Sequence, residues 1–215
     1  MNIKACLFDL DGVLVNTARF HYLAWKQLAG RLGFDFTETD NERLKGISRM
    51  DSMEILLSIG NIQLTPGEKK QYAEEKNQVY LQYVSQMTPY DVLPGVNSFL
   101  KKLKADNILI GLGSASKNAR LILQKTHLEA MFDVVVDGNL ISKAKPDPEV
   151  FSLGSRLLET DAGETIVFED AVAGVQAAHN AGMKCIGIGT PEMLAEADLV
   201  FPGFENMKLA DIHFE

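Results

Sequence analysis

The sequence predicts an α/β fold: a parallel sheet forms the core, and an all-helical cap is inserted into it. Three observations support this prediction. A short apolar run near the start, Ala5–Phe8, ends in acidic residues. Residues 16–87 then show helical periodicity and no convincing strand. From Pro94 onward, helical and strand-like segments alternate, as is typical of a parallel sheet covered by helices on both faces.

The apolar run at the start predicts a strand that is buried on both faces, because apolar and polar residues do not alternate along it. Asp9 and Asp11 follow it two residues apart, so their side chains project the same way, at the edge where open α/β sheets hold ligands. Two close carboxylates repel each other, so one stays protonated or a cation joins them. A calcium loop does not fit, because Gly12 comes fourth from Asp9 and not sixth. A solvated turn is the alternative.

The predicted cap domain contains three helices. The first has an apolar residue at every fourth position, Asn16 or Thr17 as its N-cap, and Gly33 at its end. The last opens with Thr65-Pro66, which suits a helix amino end. The predicted bounds are Thr17–Leu32, Asp51–Ile59 and Pro66–Val84.

The predicted core domain, residues 1–15 and 88–215, has the alternation of a Rossmann-like parallel sheet. Each strand is expected to pair with its neighbours while the connecting helices cover the two faces. The predicted helices are Val96–Ala105, Asn118–Lys125, Asp147–Leu158 and Val172–Ala181, and the predicted strands are Ile108–Leu112, Val134–Val136, Thr165–Phe168, Cys185–Ile188 and an edge strand at Leu199–Phe201.

Composition excludes several classes of function. The 215 residues are 46% apolar, enough for a packed core, and the formal charge of −8 without any Lys/Arg block argues against a nucleic-acid surface. Cys6 and Cys185 lie in apolar runs and are expected to be buried thiols in a reducing compartment. The N-terminal apolar run is too short for a signal peptide or a membrane span. A cytoplasmic protein is therefore expected, with no nucleic-acid or membrane partner.

Polar residues follow or precede the other core elements. Ser114 ends one predicted strand, Lys145 precedes a helix, and Glu169-Asp170 ends another strand. These groups are expected to gather with Asp9 and Asp11 at one edge of the sheet. A hydroxyl, an ammonium and four carboxylates suit a phosphoryl group and Mg²⁺, which prefers hard oxygen ligands.

These residues resemble the four motifs of the haloacid dehalogenase (HAD) superfamily of phosphotransferases. The matching segments are Asp9-Leu10-Asp11-Gly12, Ser114, Lys145-Pro146 and Glu169-Asp170. Within the superfamily the sequence is most similar to the β-phosphoglucomutase family, and the further matches are Leu44–Arg49, Ser114–Asn118 and the helix with His21 and Trp25. One departure is Asn16, where such enzymes often carry aspartate.

The resemblance implies a HAD-like core and a set of catalytic roles. Asp9 is expected to be the nucleophile that forms an aspartyl phosphate, and Asp11 the general acid and base. Lys145 would offset charge on the transferring group, which Ser114 would bind. The implied ligands of Mg²⁺ are Asp9, the backbone carbonyl of Asp11, Glu169 and Asp170.

The resemblance also implies a sugar-phosphate site, with Arg49 and residues 116–118 gripping the distal phosphate. Glucose 1,6-bisphosphate is the implied intermediate and activator, and a monomer is expected. The implied substrate-binding residues are Thr17, His21, Trp25, Leu44, Lys45, Gly46, Ile47, Arg49, Ser52, Lys76, Ser114, Ala115, Ser116, Lys117 and Asn118.

Several residues have an alternative interpretation. Trp25 on a helix is commonly a core residue, and Lys76 a solvated helix charge. Gly46 is expected to permit the close approach of a sugar to the backbone. The expected surface or packing residues are Met50, Arg120 and Lys143.

Three functions remain open from the sequence. The favoured one interconverts β-D-glucose 1-phosphate and D-glucose 6-phosphate. A sugar-phosphate or phosphoglycolate phosphatase would use the same core, with water as the phosphoryl acceptor. A non-catalytic phosphosugar sensor or phosphoaspartate switch is the third, and the long helical insertion disfavours it because a switch needs no lid against water.

Overall fold

The computed structural model describes residues 3–205, 207, 208, 212 and 214. Its centre is a six-stranded sheet in which all neighbouring strands are parallel, in the order β3-β2-β1-β4-β5-β6. The first strand lies in the middle and is fully buried, which confirms the interpretation of the apolar run. The strands are β1 (Ala5–Phe8), β2 (Leu109–Gly113), β3 (Val134–Val136), β4 (Thr165–Glu169), β5 (Lys184–Ile188) and β6 (Leu199–Phe201).

The predicted helices are all present, and their bounds agree within about two residues, the usual uncertainty of helix ends. One helix, α2, was not predicted, because five mostly polar residues carry no apolar period. A capping box between Thr37 and Asp40 stabilises its start instead. The helices are α1 (Ala18–Arg31), α2 (Glu38–Glu42), α3 (Arg49–Ile59), α4 (Pro66–Ser85), α5 (Val96–Ala105), α6 (Ala119–Lys125), α7 (Glu149–Leu157) and α8 (Val172–Asn180).

Apolar side chains of β1 alternate between two buried clusters, one on each face of the sheet. Phe8 belongs to the cluster under α5 and α6, where its ring stacks on Phe168 with centroids 4.6 Å apart. Leu7 points to the other face and packs with Phe151 of α7 and Val175 of α8. Helices therefore cover both faces, which confirms the predicted α/β fold class.

Residues 16–87, hereafter the helical insertion, contain α1 to α4 and no strand. The insertion has its own apolar cluster, which includes Trp25, Phe36, Met53 and Leu56. The ends of α1 and α4 nearest the sheet pack differently, since Tyr80 belongs to the cluster under α5 and α6. The exact domain boundaries stay a prediction.

The two chain segments that join the insertion to the core are hydrogen-bonded to each other. The N–H of Asn16 donates to the Asp91 carbonyl at 3.1 Å, and the N–H of Leu93 donates to the Leu14 carbonyl at 2.9 Å. Val15 forms an antiparallel bridge with Val92 between these bonds. We call these segments the paired connections, and they place both ends of the insertion at the same point of the core.

Two further expectations can be compared with the structure. Cys6 and Cys185 are free and buried, which confirms the expectation of buried thiols. In the part of the chain that the structure describes, no helix is both long and apolar enough to cross a lipid bilayer.

Candidate active site

A cavity of about 690 Å³ lies between the carboxyl ends of the central strands and the helical insertion. Most of the predicted site residues line it, from both parts of the chain. Those residues are Asp9, Asp11, His21, Trp25, Leu44, Lys45, Gly46, Ile47, Arg49, Ser52, Lys76, Ser114, Ala115, Ser116, Lys117, Asn118 and Asp170. The other three, Thr17, Lys145 and Glu169, are buried behind its wall, and each contacts a residue that lines it.

Asp9 follows β1 directly and is held by the backbone on both sides. Its N–H donates to the Phe168 carbonyl at 3.0 Å, and its Oδ2 accepts the N–H of Asp11 at 3.0 Å. Its Oδ1 lies 2.5 Å from Nζ of Lys145, which also contacts the Glu169 carboxylate. Burial lowers the pKa of Lys145, but the Asp9 and Glu169 carboxylates outweigh it, so the net shift is upward and the ammonium is retained. Lys145 therefore does not line the cavity itself but contacts Asp9, which does.

Asp9, Glu169 and Asp170 form an acidic cluster, in which one carboxylate oxygen from each lies within 4.8 Å of the others. Oε2 of Glu169 accepts two backbone N–H groups, from Asp170 at 2.8 Å and from Ala171 at 3.0 Å. Burial raises the pKa of Asp170 well above its usual value, and the charges of Glu169 and Asp9 raise it further. The three carboxylates carry more negative charge than the Lys145 ammonium offsets, and their hard oxygen atoms fit a divalent cation of the Mg²⁺ type.

Two glycines make room for the acidic cluster. A Cβ on Gly12, whose φ is +85°, would lie 2.1 Å from Oδ2 of Asp170. A Cβ on Gly174 in the first turn of α8 would lie 1.8 Å from Oε1 of Glu169. Neither position can accept a larger residue without moving a carboxylate. The Asp-x-Asp-Gly motif signalled Gly12, whereas nothing in the sequence signalled Gly174.

Asp11 lies two residues beyond Asp9 and has a different set of partners. The Thr17 hydroxyl donates to Oδ1 of Asp11, and the Tyr80 hydroxyl lies 3.4 Å from the same oxygen. Burial raises the pKa of Asp11 to about 6, with a second upward effect from Asp9 that Thr17 partly offsets. A carboxyl group with this pKa can both accept and donate a proton near neutral pH. Thr17 is the N-cap of α1 as predicted, but its side chain caps nothing and binds Asp11 instead.

His21, Trp25 and Lys76 form a buried group on the insertion side of the cavity. Nζ of Lys76 lies 3.0 Å from Nδ1 of His21 and 4.4 Å from the centroid of the Trp25 ring. Burial, with a smaller effect from the nearby Arg49, lowers the pKa of Lys76 to about 7. Burial and the same two cations lower the pKa of His21, so the ring is neutral. Its Nδ1 accepts from Lys76, which leaves the ring proton on Nε2, 3.8 Å from Oδ1 of Asp11.

These three contacts revise the two interpretations of Trp25 and Lys76. Trp25 is both a core residue and a cavity residue: it belongs to the apolar cluster of the insertion, and it also lines the cavity, where Nζ of Lys76 lies over its ring. Lys76 is only 4% exposed and is not a solvated helix charge.

The predicted distal phosphate grip comes from both parts of the chain. On the core side, the hydroxyl groups of Ser114 and Ser116 accept the N–H groups of Ser116 and Asn118, which folds this loop into successive turns. Nδ2 of Asn118 donates to Oδ1 of Asn77 in the insertion at 3.0 Å. On the insertion side, Arg49 begins α3, where Ser48 is the N-cap.

Lys45 and Gly46 bring the insertion against the acidic cluster. Nζ of Lys45 lies 2.9 Å from Oε2 of Glu42 and 3.7 Å from Oδ2 of Asp170. Gly46 has a φ of +72°, and a Cβ there would lie 3.0 Å from the Cβ of Ala171. Gly46 therefore has a structural reason, since its close neighbour is a core residue and its backbone conformation favours glycine, and the approach of a sugar there stays a prediction.

Sequence reasoning missed several cavity residues. Asn77 lines the cavity from the buried face of α4 beside Lys76, and Glu74 lies at the cavity rim. Tyr80, on the same buried face, does not line the cavity but contacts Asp11. Polar residues at helical spacing on the face that also carries Ala73 and Val84 were the available signal. Met50 and Lys143, expected as surface or packing residues, also line the cavity. Arg120 is a surface residue as expected, with its side chain near Asp137.

Comparison with known proteins gives consistent matches over nearly the whole chain. The family model described as haloacid dehalogenase-like hydrolase matches residues 6–188. The β-phosphoglucomutase of Bacillus subtilis is 40% identical, covering 99% of this chain and 95% of its own. The phosphorylated carbohydrates phosphatase of Thermotoga maritima is 30% identical, covering 86% and 84%. The crystal structure of β-phosphoglucomutase from Clostridium difficile matches with a TM-score of 0.93 and 40% identity, covering 97% and 95%.

Proposed function

The chain belongs to the haloacid dehalogenase-like hydrolase family, and we propose that it acts as a β-phosphoglucomutase. The proposed reaction interconverts β-D-glucose 1-phosphate and D-glucose 6-phosphate. One observation carries the proposal: a single cavity contains the Asp9–Asp11 pair together with Arg49 and residues 116–118. Such a cavity can accept a phosphoryl group at one place and hold a second phosphate at another. The β-phosphoglucomutases of Bacillus subtilis and Clostridium difficile both match this chain over nearly its full length.

In the first half-reaction, an oxygen of the Asp9 carboxylate bonds to phosphorus as the bond from phosphorus to the sugar oxygen breaks. Asp11 gives its proton to the leaving sugar oxygen, which becomes a hydroxyl group, and the donor glucose 1,6-bisphosphate departs as a glucose monophosphate. Lys145 contacts the Asp9 carboxylate from behind and offsets charge there as phosphorus approaches. The product is an aspartyl phosphate on Asp9.

In the second half-reaction, a sugar hydroxyl attacks the aspartyl phosphate and restores the Asp9 carboxylate. Asp11 takes the proton of that hydroxyl, so the two half-reactions use the same residue in opposite directions. A pKa of about 6 suits both tasks. When the attacking group is the C6 hydroxyl of β-D-glucose 1-phosphate, this step regenerates glucose 1,6-bisphosphate. The bisphosphate reacts at its C1 phosphate in the next cycle, so it must bind in either orientation.

The acidic cluster supports a site for Mg²⁺, held by the carboxylates of Asp9, Glu169 and Asp170 with the backbone carbonyl of Asp11. When bound, the ion would neutralise charge on the phosphoryl oxygens during transfer. Glu169 already accepts two backbone N–H groups and contacts Lys145, so its orientation is fixed independently of any ion.

The helical insertion supports the mutase over a phosphatase. An aspartyl phosphate must be protected from water until a sugar hydroxyl arrives. Insertion residues His21, Trp25 and Lys76 cover the cavity beside Asp11, and Arg49 adds a cation for the second phosphate. A phosphatase needs no such second grip. The Thermotoga relative, named as a phosphatase, makes hydrolysis of sugar phosphates the second candidate function.

The two candidates differ in their products. Purified protein is supplied with β-D-glucose 1-phosphate, Mg²⁺ and catalytic amounts of glucose 1,6-bisphosphate. Glucose 6-phosphate is followed with a coupled dehydrogenase, and inorganic phosphate is measured in the same samples. We expect isomerisation to be much faster than phosphate release and to require the bisphosphate as activator. Phosphate release as fast as substrate loss, without activation, would assign the phosphatase instead.

The monomeric state and the cytoplasmic location belong to the same proposal. All the predicted site residues line the cavity or lie behind its wall, so this chain itself supplies both the proposed catalytic groups and the proposed phosphate grip. Size-exclusion chromatography with light scattering is expected to give the mass of one chain, 23.7 kDa.

A further inference from the structure

Arg49, which we propose grips a phosphate, is paired with a carboxylate of its own chain. Its Nη1 lies 3.0 Å from Oε2 of Glu74, a residue in the middle of α4. Both side chains line the active-site cavity, and that of Glu74 is 56% exposed. The guanidinium is therefore bonded to an anion at the place where a ligand phosphate would bind it.

Glu74 is held at this place by other residues of α4. Its Oε1 accepts Nε2 of Gln78 at 2.7 Å. The Gln78 bond lowers the pKa of Glu74, and Asn77 and Arg49 lower it further, so the carboxylate stays charged near neutral pH. Asn77 in turn accepts a hydrogen bond from Asn118. Arg49 and Asn118, the two residues expected to hold one phosphate from opposite sides, are thus each bonded to a residue of α4.

We propose that Glu74 competes with the distal phosphate for Arg49 and so sets the strength of the phosphate grip. This inference rests on the proposed function of the cavity. A phosphate dianion offers more charge than a carboxylate and can meet two guanidinium N–H groups at once, so it can displace Glu74. The hydrogen bond from Gln78 to Glu74 does not involve Arg49, so it keeps the Glu74 carboxylate near Arg49 after a phosphate has displaced it from the guanidinium. Its charge then opposes the bound phosphate.

A weakened grip matches the proposed reaction. Glucose 1,6-bisphosphate must exchange its two phosphates between Asp9 and the distal grip in each turnover. An unopposed arginine would favour one bound orientation and slow its release. The Glu74 carboxylate can pair with Arg49 again as the phosphate leaves. This lowers the free-energy cost of phosphate release, because the guanidinium is not left without a hydrogen-bond partner.

Glu75 offers a matched control on the same helix. Its carboxylate also pairs with an arginine, since Nη1 of Arg31 lies 2.8 Å from Oε2 of Glu75. It also accepts a hydrogen bond from Nε2 of Gln71 at 3.0 Å. Glu75 does not line the cavity. The Glu74→Gln and Glu75→Gln variants therefore lose the same charge and the same kind of contact, and only the first changes the site.

The test is the Kd for glucose 6-phosphate, measured by isothermal titration calorimetry with Mg²⁺ present. We expect Glu74→Gln to bind roughly 3- to 10-fold more tightly than the unaltered protein, since an exposed ion pair and a nearby like charge are removed. The Kd of Glu75→Gln for glucose 6-phosphate should stay within about 2-fold of that of the unaltered protein. In an Arg49→Ala background only the direct repulsion between Glu74 and the phosphate remains, so Glu74→Gln should tighten binding by a smaller factor than it does with Arg49 present. A merely structural role of Glu74 would give the same factor in both backgrounds.

Unchanged or weaker binding by Glu74→Gln would overturn the inference. Equal tightening by both variants would also overturn it, because net charge alone would then be the cause. Inorganic phosphate is measured in the same samples to test the proposed function separately. Rapid release would replace the mutase by a phosphatase, and the difference between the two variants would still stand.

Discussion

The two sides of the active-site cavity hold their charged groups in different ways. On the core side, Asp9, Lys145 and Glu169 are at most 5% exposed, and backbone N–H groups and a shared ammonium fix them. On the insertion side, Lys45 and Arg49 pair with partly exposed glutamates, Glu42 and Glu74. Buried pairs are costly to break, whereas exposed pairs exchange at little cost. The core is thus suited to chemistry that needs fixed atoms, and the insertion to ligands that come and go.

The largest effect is expected at the core carboxylate that we propose as nucleophile. Asp9→Asn should keep the fold and lower turnover by about 10⁴-fold or more, because an amide does not form the acyl phosphate. The coupled isomerisation assay measures the loss, and circular dichroism checks the fold. Asp137→Asn is the control, since Asp137 is a buried aspartate after the strand β3. Substantial turnover by Asp9→Asn, or a phosphopeptide mapped elsewhere, would refute the assignment.

Asp11 is expected to show the next largest effect, and one confined to proton transfer. Asp11→Asn should lower kcat by about 10²- to 10⁴-fold, the range for a positioned acid or base, while KM changes little. Steady-state kinetics on β-D-glucose 1-phosphate separate the two constants. A KM that rises as much as kcat falls would instead make Asp11 a binding residue.

Lys145 tests whether the buried core pairs resist change. Lys145→Met leaves the Asp9 and Glu169 carboxylates buried without their ammonium, so it should reduce the free energy of unfolding by about 3–5 kcal/mol. Urea denaturation without Mg²⁺ measures this loss. Lys143→Met, with a side chain that is 69% exposed, should change it by less than about 0.5 kcal/mol. A similar small change at Lys145 would contradict the contrast between the two sides.

Lys76 is the exception on the insertion side, because it is a buried cation. Its pKa in the folded chain, about 7, lies below the usual 10.5. Between these values the unfolded chain binds more protons, so this group's contribution to stability rises with pH from about 7 to 10.5. Lys76→Met should therefore gain more stability, relative to the unaltered protein, at pH 6 than at pH 9, by roughly 1–3 kcal/mol. Urea denaturation at both pH values measures the difference, and equal gains would show that Lys76 has an ordinary pKa.

The smallest effect is expected at the exchangeable pair of Arg49. Arg49→Ala should raise the KM for glucose 1,6-bisphosphate by about 10-fold and change kcat by less than about 3-fold, if the guanidinium only holds the distal phosphate. Arg31→Ala removes an equivalent exposed pair, with Glu75, and should leave both constants unchanged. A larger loss in kcat than in KM would place Arg49 in the chemical step.

The core side could be predicted from sequence further than the insertion side. Asp9, Ser114 and Glu169 follow strands, and parallel strands necessarily bring such ends to one edge of the sheet. Apolar periodicity also gave the strands and long helices. The insertion residues depend on how helices pack. Asn77 and Glu74 lie within two residues of Lys76, yet only the placement of α4 shows that they meet Asn118 and Arg49. For the same reason, sequence patterns did not reveal that Gly46 lies close to Ala171 or that Thr17 hydrogen-bonds to Asp11.

The paired connections bear on how such a chain could tolerate changes of length. Because Leu14 and Leu93 are hydrogen-bonded to each other, the chain leaves the core and returns to it at one place, and backbone hydrogen bonds hold the two connecting segments together there. Residues added to or removed from the loops between α1 and α4 then lengthen a tethered loop, which costs little closure entropy, and leave β1 and α5 in position. The part of the chain that we propose contacts the sugar can therefore be changed, or replaced as a unit, without altering the path of the part that we propose transfers the phosphoryl group.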